Sequence, residues 1–357
     1  MTSTEFETDG AALRRSRRTG EQPPLEDPFD VMFVGWSFFR SKLLTAAMEL
    51  RVFSILGEGS LEEAELAGRT GLHPRAGQVF LDALAAVGLL VRQDGRYRNS
   101  PGTLRHLLPD RDGFVGGFLR MTTELMGSDQ ESFTGLLRGG TARGQGAGGE
   151  VPFTKIFHDP ERLRQFLSAM DSFSGAVGAE LAEVFDWSRV ASFSDVGGAR
   201  GNLAAHLAAA HPGLTGNVLD RPSMAEHFDR LVSERGVGER LRFVGADFFQ
   251  AELPRADVVI LGSVLHDWPM EQRTTLLRKA YDAVHDGGWV IVYDTMLDDE
   301  RRDPDSLMLS LIMMLQSAQA GGFTPAECGV WMTDAGFAVE RTVRLPALTT
   351  AVVGRKI

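Results

Sequence analysis

An imidazole, a carboxylate and an indole stand together in Val264-Leu-His-Asp-Trp268, just after the almost wholly apolar run Ala256 to Leu261. Such a run reads as a parallel strand covered on both faces. Ligands in open α/β sheets sit beyond the carboxyl ends of strands. His266 is thereby placed at a ligand end, where an imidazole can take a proton from a substrate near neutral pH. Trp268 offers a face on which a flat ring can stack. The competing reading of this stretch is a surface loop with a solvated histidine and a core tryptophan.

A second stretch, Phe193-Ser-Asp-Val-Gly-Gly-Ala-Arg-Gly-Asn-Leu203, reads as a strand, a glycine-rich turn and the start of a helix. Gly197, Gly198 and Gly201 permit a tight turn and close approach of backbone to a ligand. Asn202 to Ala210 is rich in Ala and Leu, as suits a helix packed on a sheet. Its N-terminus offers free N–H groups and a positive dipole end. Alone, such a turn also fits an ordinary strand-to-helix loop. Its company favours a ligand. Leu214 to Leu219 reads as a second strand followed by Asp220, the place for an acid that holds a ribose. Phe243-Val-Gly-Ala-Asp-Phe-Phe249 reads as a third strand, with Asp247 placed to accept from an adenine amino group and Phe248 to supply an apolar face. A nucleotide-like ligand is expected, but not a triphosphate, because the Lys-Ser/Thr of a P-loop is absent.

The elements that must position these groups follow from the rest of the chain. Its 357 residues are enough for two cores, so two domains are expected. The net charge of −11 argues against nucleic acid and anionic membranes as partners. Cys328 is the only cysteine, so there is no internal disulfide, and the scattered histidines make no zinc pattern. No metal is expected. No apolar run reaches transmembrane length. No apolar segment follows the N-terminal basic cluster, so a cytoplasmic location is expected.

Residues 1–28 are polar, with Arg14, Arg15, Arg17 and Arg18 and then Pro23-Pro24, and read as a disordered tail. Residues 29–112 read as one domain. Within it, Val31 to Leu56 is a long apolar helical region. Trp36, Phe38 and Phe39 give it more apolar surface than one helix face can hide, so it is central to its domain or packs on a second subunit. Ser60-Leu-Glu-Glu63 reads as a capping box opening a helix to Arg69. Pro74 begins another helix, which Gly88 ends. Asp94-Gly95, between Leu89–Arg92 and Arg96–Asn99, signals a hairpin. Helix, turn, helix, hairpin is a winged-helix pattern. Its second helix carries only Arg75 near its start, so a dimerisation module is favoured over DNA binding.

Residues 113–185 read as a helical connector, which holds most of a helical stretch from Thr103 to Ser132. A glycine-rich loop from Gly135 to Gly149 follows, and then a helix from Glu161 to Phe185. Leu163, Phe166, Leu167, Met170 and Phe173 share one side of that helix, as core or as a pocket wall. Residues 186–357 alternate strand and helix. A helix from Gln272 to Val284 is expected to close at Asp286-Gly-Gly288, before a strand from Trp289 to Tyr293. A Met/Leu-rich helix spans Leu307 to Gln319. A helix from Pro325 to Ala335 is capped by Thr324. Phe337–Arg344 and Leu348–Val353 close the sheet as antiparallel strands.

Four linked motifs carry a resemblance. Asp195-Val-Gly-Gly-Ala-Arg-Gly201, Leu219-Asp-Arg-Pro222, Ala246-Asp-Phe-Phe249 and Leu265-His-Asp-Trp268 stand in the order and spacing of the S-adenosylmethionine-dependent small-molecule O-methyltransferases. That family includes plant phenolic enzymes and bacterial enzymes of aromatic natural-product pathways, and the chain resembles it from about Asp27 on. The resemblance implies an α/β fold, with a Rossmann-like class I methyltransferase domain preceded by a mostly helical winged-helix dimerisation domain. It implies S-adenosyl-L-methionine as cofactor, a hydroxylated aromatic small molecule as substrate, and a homodimer. By position it sets Gly197, Gly198 and Gly201 against the methionine part of the cofactor and Ser174 near its carboxylate. Asp220 then holds the ribose, Asp247 and Phe248 the adenine, and Trp268 lies beside the cofactor, with Ser263 as a further contact. Phe166 and Met170 border the substrate. Met313 and Met314 are further candidate substrate contacts, as are Trp36 and Phe39, which would reach the pocket of a partner. His266 becomes the general base that deprotonates a hydroxyl as it attacks the sulfonium methyl. Asp294 stands where a Glu often orients that histidine.

Three positions depart from the family pattern. Ala199 replaces a glycine of the turn. Gly262 stands where many relatives have a lysine near the cofactor. Pro325 stands where many have a second carboxylate flanking the histidine, which counts against ordinary phenol O-methylation. C-methylation of a phenolic ring carbon or an enolisable carbon is the alternative, since the same base serves it. A cofactor-sensing winged-helix regulator is a third reading, disfavoured by the missing basic helix face.

Overall fold

Residues 24–25, 27–109, 111, 114–126, 130–140, 159–346 and 348–357 are described in the computed structural model of the chain. The expected tail up to residue 23 lies outside them, as do residues 141–149 of the expected glycine-rich loop. Helix α1 (Pro28–Glu49) starts where its sequence says it should. The Asp27 carboxylate accepts from the Phe29 N–H at 2.7 Å, and Pro28 fills the first helical position. Its C-terminal turn buries Ala47 among Val52, Phe53 and Leu56 of α2 (Val52–Leu56). Its N-terminal two-thirds is different: Phe29, Phe33, Trp36 and Phe39 all stand exposed, Phe39 at 66%.

Strand β1 (Ser60–Glu62), helices α3 (Glu63–Thr70) and α4 (Pro74–Ala86), and strands β2 (Leu90–Gln93) and β3 (Arg96–Asn99) form the helix–helix–wing unit, in sheet order β1-β3-β2. Asp94 and Gly95 both have positive φ, as a two-residue hairpin turn requires. The expected capping box does not form. Ser60–Glu62 pairs with Arg96–Arg98 of β3, and Arg96 bonds the Ser60 hydroxyl and carbonyl, so long-range pairing wins over local capping.

Helices α5 (Pro101–His106), α6 (Gly116–Met126), α7 (Gln130–Gly139) and α8 (Pro160–Val184) follow. The expected loop therefore begins later than read, because α7 runs through Gly135 to Gly139 and is followed by Gly140, whose φ is +75°. Helices α6 and α8 cross closely at Gly117, where a Cβ would meet the Ser168 hydroxyl at 2.6 Å.

The remaining elements are β4 (Ser192–Val196), α9 (Asn202–Ala210), β5 (Thr215–Asp220), α10 (Ala225–Glu234), β6 (Leu241–Gly245), β7 (Ala256–Gly262), α11 (Met270–Ala283), β8 (Val284–Asp294), α12 (Pro304–Gln316), α13 (Pro325–Asp334), β9 (Phe337–Arg344) and β10 (Thr350–Lys356). They build a seven-stranded sheet of order β6-β5-β4-β7-β8-β10-β9. Strands β6 through β8 are parallel, while β10 runs antiparallel to both neighbours. Successive residues of β7 face opposite layers. Val258 and Ile260 pack with Leu181 of α8 and Leu203 and Leu207 of α9, whereas Val259 and Leu261 pack with Leu276 and Leu277 of α11 and Met332 of α13. Asp286-Gly-Gly288 does not close α11 as expected. It lies within β8, which starts directly after the helix, and Gly288 passes so close to the Asp257 carbonyl that a Cβ would overlap it. Among the described residues, no helix is long and apolar enough to cross a membrane.

Candidate active site

The carboxyl ends of β6, β5, β4, β7 and β8 lie side by side, and a cavity of about 380 Å³ opens above them. Its outer wall is apolar: Phe118 of α6, Phe166, Met170 and Phe173 of α8, and Leu309, Ile312 and Met313 of α12. Phe118 and Phe173 meet edge to face, their centroids 4.6 Å apart.

One end of the cavity is built around the β4–α9 turn. Gly197 and Gly201 have positive φ, and so does Ala199, at +50°. A Cβ there costs about 1–2 kcal/mol in the left-handed region. The Asp220 carboxylate holds it in place by accepting from the Ala199 N–H at 2.8 Å and the Arg221 N–H at 2.7 Å. Burial raises the Asp220 carboxyl above its ordinary range, against the pull of those two N–H groups. Its oxygens still have lone pairs to offer a ligand. Asp195 is 2% exposed, and its Oδ2 has no hydrogen-bond partner. Burial, and then repulsion from Asp220, push its carboxyl up to about 7. A Cβ on Gly198 would overlap that carboxylate, which is why glycine stands there.

Farther along, the Asp247 carboxylate accepts from the Phe249 N–H at 2.8 Å, and Phe249 and Phe248 pack against Trp268 with centroids 4.7 and 6.0 Å away. The α8 side is tied to the turn by a half-buried ion pair between Arg200 and Asp171. Asn202 adds a bond from Nδ2 to the Ser174 hydroxyl at 3.2 Å.

The other end carries the acid–base groups. His266 sits in a single 3-10 turn after β7, only 9% exposed. Its Nδ1 lies 2.7 Å from Asp294 Oδ1, and its Nε2 lies 3.2 Å from Asp267 Oδ1. Burial opposes the imidazolium. The carboxylates of Asp294 and Asp267 outweigh it and hold His266 well above the ordinary histidine range. Pro325 is the first residue of the Thr324-capped α13 and supplies no acid, yet two carboxylates flank the ring all the same, because Asp267 takes the second place. The loop is pinned from behind. Buried Arg273 donates to the Trp268 carbonyl at 2.6 Å and the Gly321 carbonyl at 2.8 Å, with its guanidinium over the adjoining rings of Phe323 and Trp331. The Gly321 N–H donates to the His266 carbonyl at 2.8 Å.

Of the residues singled out from sequence, Ser174, Gly197, Gly198, Asp220, Asp247, Phe248, Ser263, His266, Trp268, Phe166, Met170 and Met313 line this one cavity. Asp294 stands just behind it, on the far side of the histidine. Gly201 is off the cavity: it packs against Phe228, where a Cβ would come within 2.9 Å, so its role is in the turn. Met314, one residue after Met313, is also off the cavity, as helical periodicity turns it away. Trp36 and Phe39 lie on the exposed face of α1, away from the cavity of their own chain. Asp195, Asp267, Arg273 and Tyr293 were not singled out. The first two sit inside quoted motifs, while nothing local marks the others.

These residues suit an adenosyl ligand with a charged tail: a glycine turn, an acid at the end of β5, an aromatic cluster and an unpartnered buried carboxylate. Comparison with known proteins agrees. The O-methyltransferase domain model matches residues 140–338, and the O-methyltransferase dimerisation domain model matches residues 35–107. The chain is 42% identical to the tetracenomycin polyketide synthesis 8-O-methyl transferase of Streptomyces glaucescens, over 92% of this chain and 97% of that one. It is 37% identical to an N,N-dimethyltransferase of Streptomyces rimosus, over 87% and 91%. Human N-acetylserotonin methyltransferase, solved in complex with S-adenosylmethionine, superposes with a TM-score of 0.80 at 27% identity, covering 94% of this chain and 99% of that one. The chain therefore belongs to the S-adenosylmethionine-dependent O-methyltransferase family.

Proposed function

We propose that the enzyme methylates a hydroxyl on a planar aromatic small molecule, with His266 as general base. The carrying observation is the orientation of His266: Nδ1 is fixed on Asp294, so Nε2 is the atom presented at the cavity. The bound cofactor supplies an electrophilic methyl on a cationic sulfur. The chain supplies position and a proton acceptor. The apolar wall of α6, α8 and α12 excludes water and holds a flat ring. The substrate hydroxyl displaces Asp267 from Nε2 and gives its proton to that nitrogen, while Asp294 stabilises the imidazolium that forms. Asp220 takes the ribose, Asp247 and Phe248 the adenine, and Trp268 the edge of the same ligand.

The exposed α1 face and the dimerisation-domain match support a homodimer in which Trp36 and Phe39 reach the partner's cavity. A cytoplasmic location is proposed with it, since the cofactor is made there. An amine acceptor is the second reading, motivated by the N,N-dimethyltransferase among the relatives. Incubation with S-adenosylmethionine and a panel of hydroxylated and aminated aromatics, followed by NMR of the products, tests both. An O-methyl signal is expected. An N-methyl or C-methyl signal replaces the reading.

A further inference from the structure

Arg273 is 7% exposed and sits in the first turn of α11. That is a poor place for a cation. Burial strips its water, and the start of a helix carries the positive end of the dipole. Both of its described hydrogen bonds go to neutral groups, the carbonyls of Trp268 and Gly321. A glutamine amide can also donate to carbonyls, and an apolar chain can cover Phe323 and Trp331. The positive charge itself therefore needs a reason.

That charge faces the histidine site. Burial opposes the guanidinium, and the carboxylates of Asp294, Glu327 and Asp267 support it, in that order. Two of the three are the groups that flank the His266 ring, Asp294 at Nδ1 and Asp267 at Nε2. Other neighbours leave the balance to these groups. Tyr293, which fills the space a Cβ on Gly262 would need, is held by burial well above the ordinary phenol range and stays neutral. Burial likewise pushes the Cys328 thiol of α13 up, and Glu327 of the same helix is shared with Arg301. Helix α12 brings only apolar side chains to the cavity. With the ring neutral, Asp267, Asp294 and Arg273 sum to one negative charge, and a proton on His266 cancels it. Without Arg273 the sum starts at two negative charges, which favours the imidazolium further.

We propose that Arg273 is a positioning residue for the general base: its guanidinium is the countercharge to Asp294 and Asp267, and its two carbonyl bonds hold the His266 turn in register with them. The ring then loses its proton at a lower pH than two unopposed carboxylates would allow. The inference rests on the reading of His266 as base for its meaning in the reaction, but not for its test.

Titration of His266 by NMR tests it on the full-length protein with isotope-labelled histidine, the signal being identified by its loss in His266→Gln. Arg273→Met removes the charge and keeps an apolar chain against the two rings. Arg273→Gln removes the charge and keeps a donor for the carbonyls. Both should move the His266 titration up by about 1 pH unit, the scale of one neighbouring charge in a protein site. Arg273→Lys keeps the charge but loses the forked pair of bonds, and should titrate near the native pH. An unchanged or lowered titration in Arg273→Gln overturns the proposal, and that variant carries the charge arm alone if Arg273→Met does not fold. An equal upward shift in Arg273→Lys also overturns it, because the fork and not the charge would then act on the ring. The measurement needs no acceptor. Its failure is thus distinct from failure of His266 as general base, which unchanged turnover in His266→Ala would show.

Discussion

The two ends of the cavity satisfy their charges differently. At the β5–β6 end, each carboxylate is bonded by backbone: Asp220 by the N–H groups of Ala199 and Arg221, Asp247 by that of Phe249. At the β7–β8 end a titratable side-chain partner is added to the backbone: Asp294 accepts from the Thr295 N–H at 2.9 Å and the His266 N–H at 3.3 Å, and its Oδ1 also meets the His266 ring. His266 lies between Asp294 and Asp267, and Tyr293 has no bonding partner among the described residues. Backbone partners fix a shape that does not titrate. Side-chain partners leave protonation free to change. The first end is thus suited to holding a ligand, and the second to moving a proton.

Deleting the base breaks this contrast most sharply. His266→Ala should lower turnover by about 10²–10⁴-fold while calorimetric affinity for S-adenosylhomocysteine stays near the native value. A matching loss of affinity would mean that the two ends are not separate. The converse variant, Asp220→Ala, should cost about 1.5–3 kcal/mol of cofactor binding. Asp220→Asn should cost less, since its side-chain oxygen can still accept from the Ala199 N–H.

The pH dependence sharpens the contrast. His266 is held above the ordinary histidine range, so its basic form appears only as pH rises through that raised value. The acid limb of kcat/KM should therefore fall above about 6.5, the unperturbed histidine value. Asp267→Asn removes one of the two carboxylates and should move the limb to lower pH. The same bracketing stabilises the fold. That contribution is complete below about 6.5 and fades as pH rises through the folded-state value, which melting curves at several pH values would show. The smallest effect is expected at Ala199. Replacing it with glycine relieves the left-handed Cβ and should raise stability by up to about 1 kcal/mol by denaturant unfolding, with turnover unchanged.

Much of the frame was legible because it depends on local pattern. The apolar run of β7 and the Ala/Leu face of α9 announce a covered parallel sheet, and the motif order places its ligand edge. What was misread depends on distant partners. Ser60–Glu62 has the composition of a cap, but β3 recruits it as a strand. Gly287-Gly288 has the composition of a stop, but a crossing carbonyl makes glycine necessary inside β8. In the site, His266 was readable from its place after a strand. Asp267 as its second carboxylate was not, because only the 3-10 turn swings that side chain onto Nε2. Tyr293 looks like one more apolar strand residue until Gly262 is placed beside it.

The way Arg273 holds the histidine loop has a consequence for how the enzyme breathes. Its guanidinium joins the Trp268 and Gly321 carbonyls from over a pair of touching aromatic rings, so lifting the loop would strand a buried cation and two acceptors together. The segment from His266 to Trp268 is therefore a fixed floor rather than a lid. Amide exchange at Gly321, whose N–H is bonded to the His266 carbonyl, should approach the rate of whole-domain opening. Admission of a bulky acceptor then falls to the opposite wall, where α6, α8 and α12 meet through aliphatic and aromatic contacts that can slide without leaving a charge exposed.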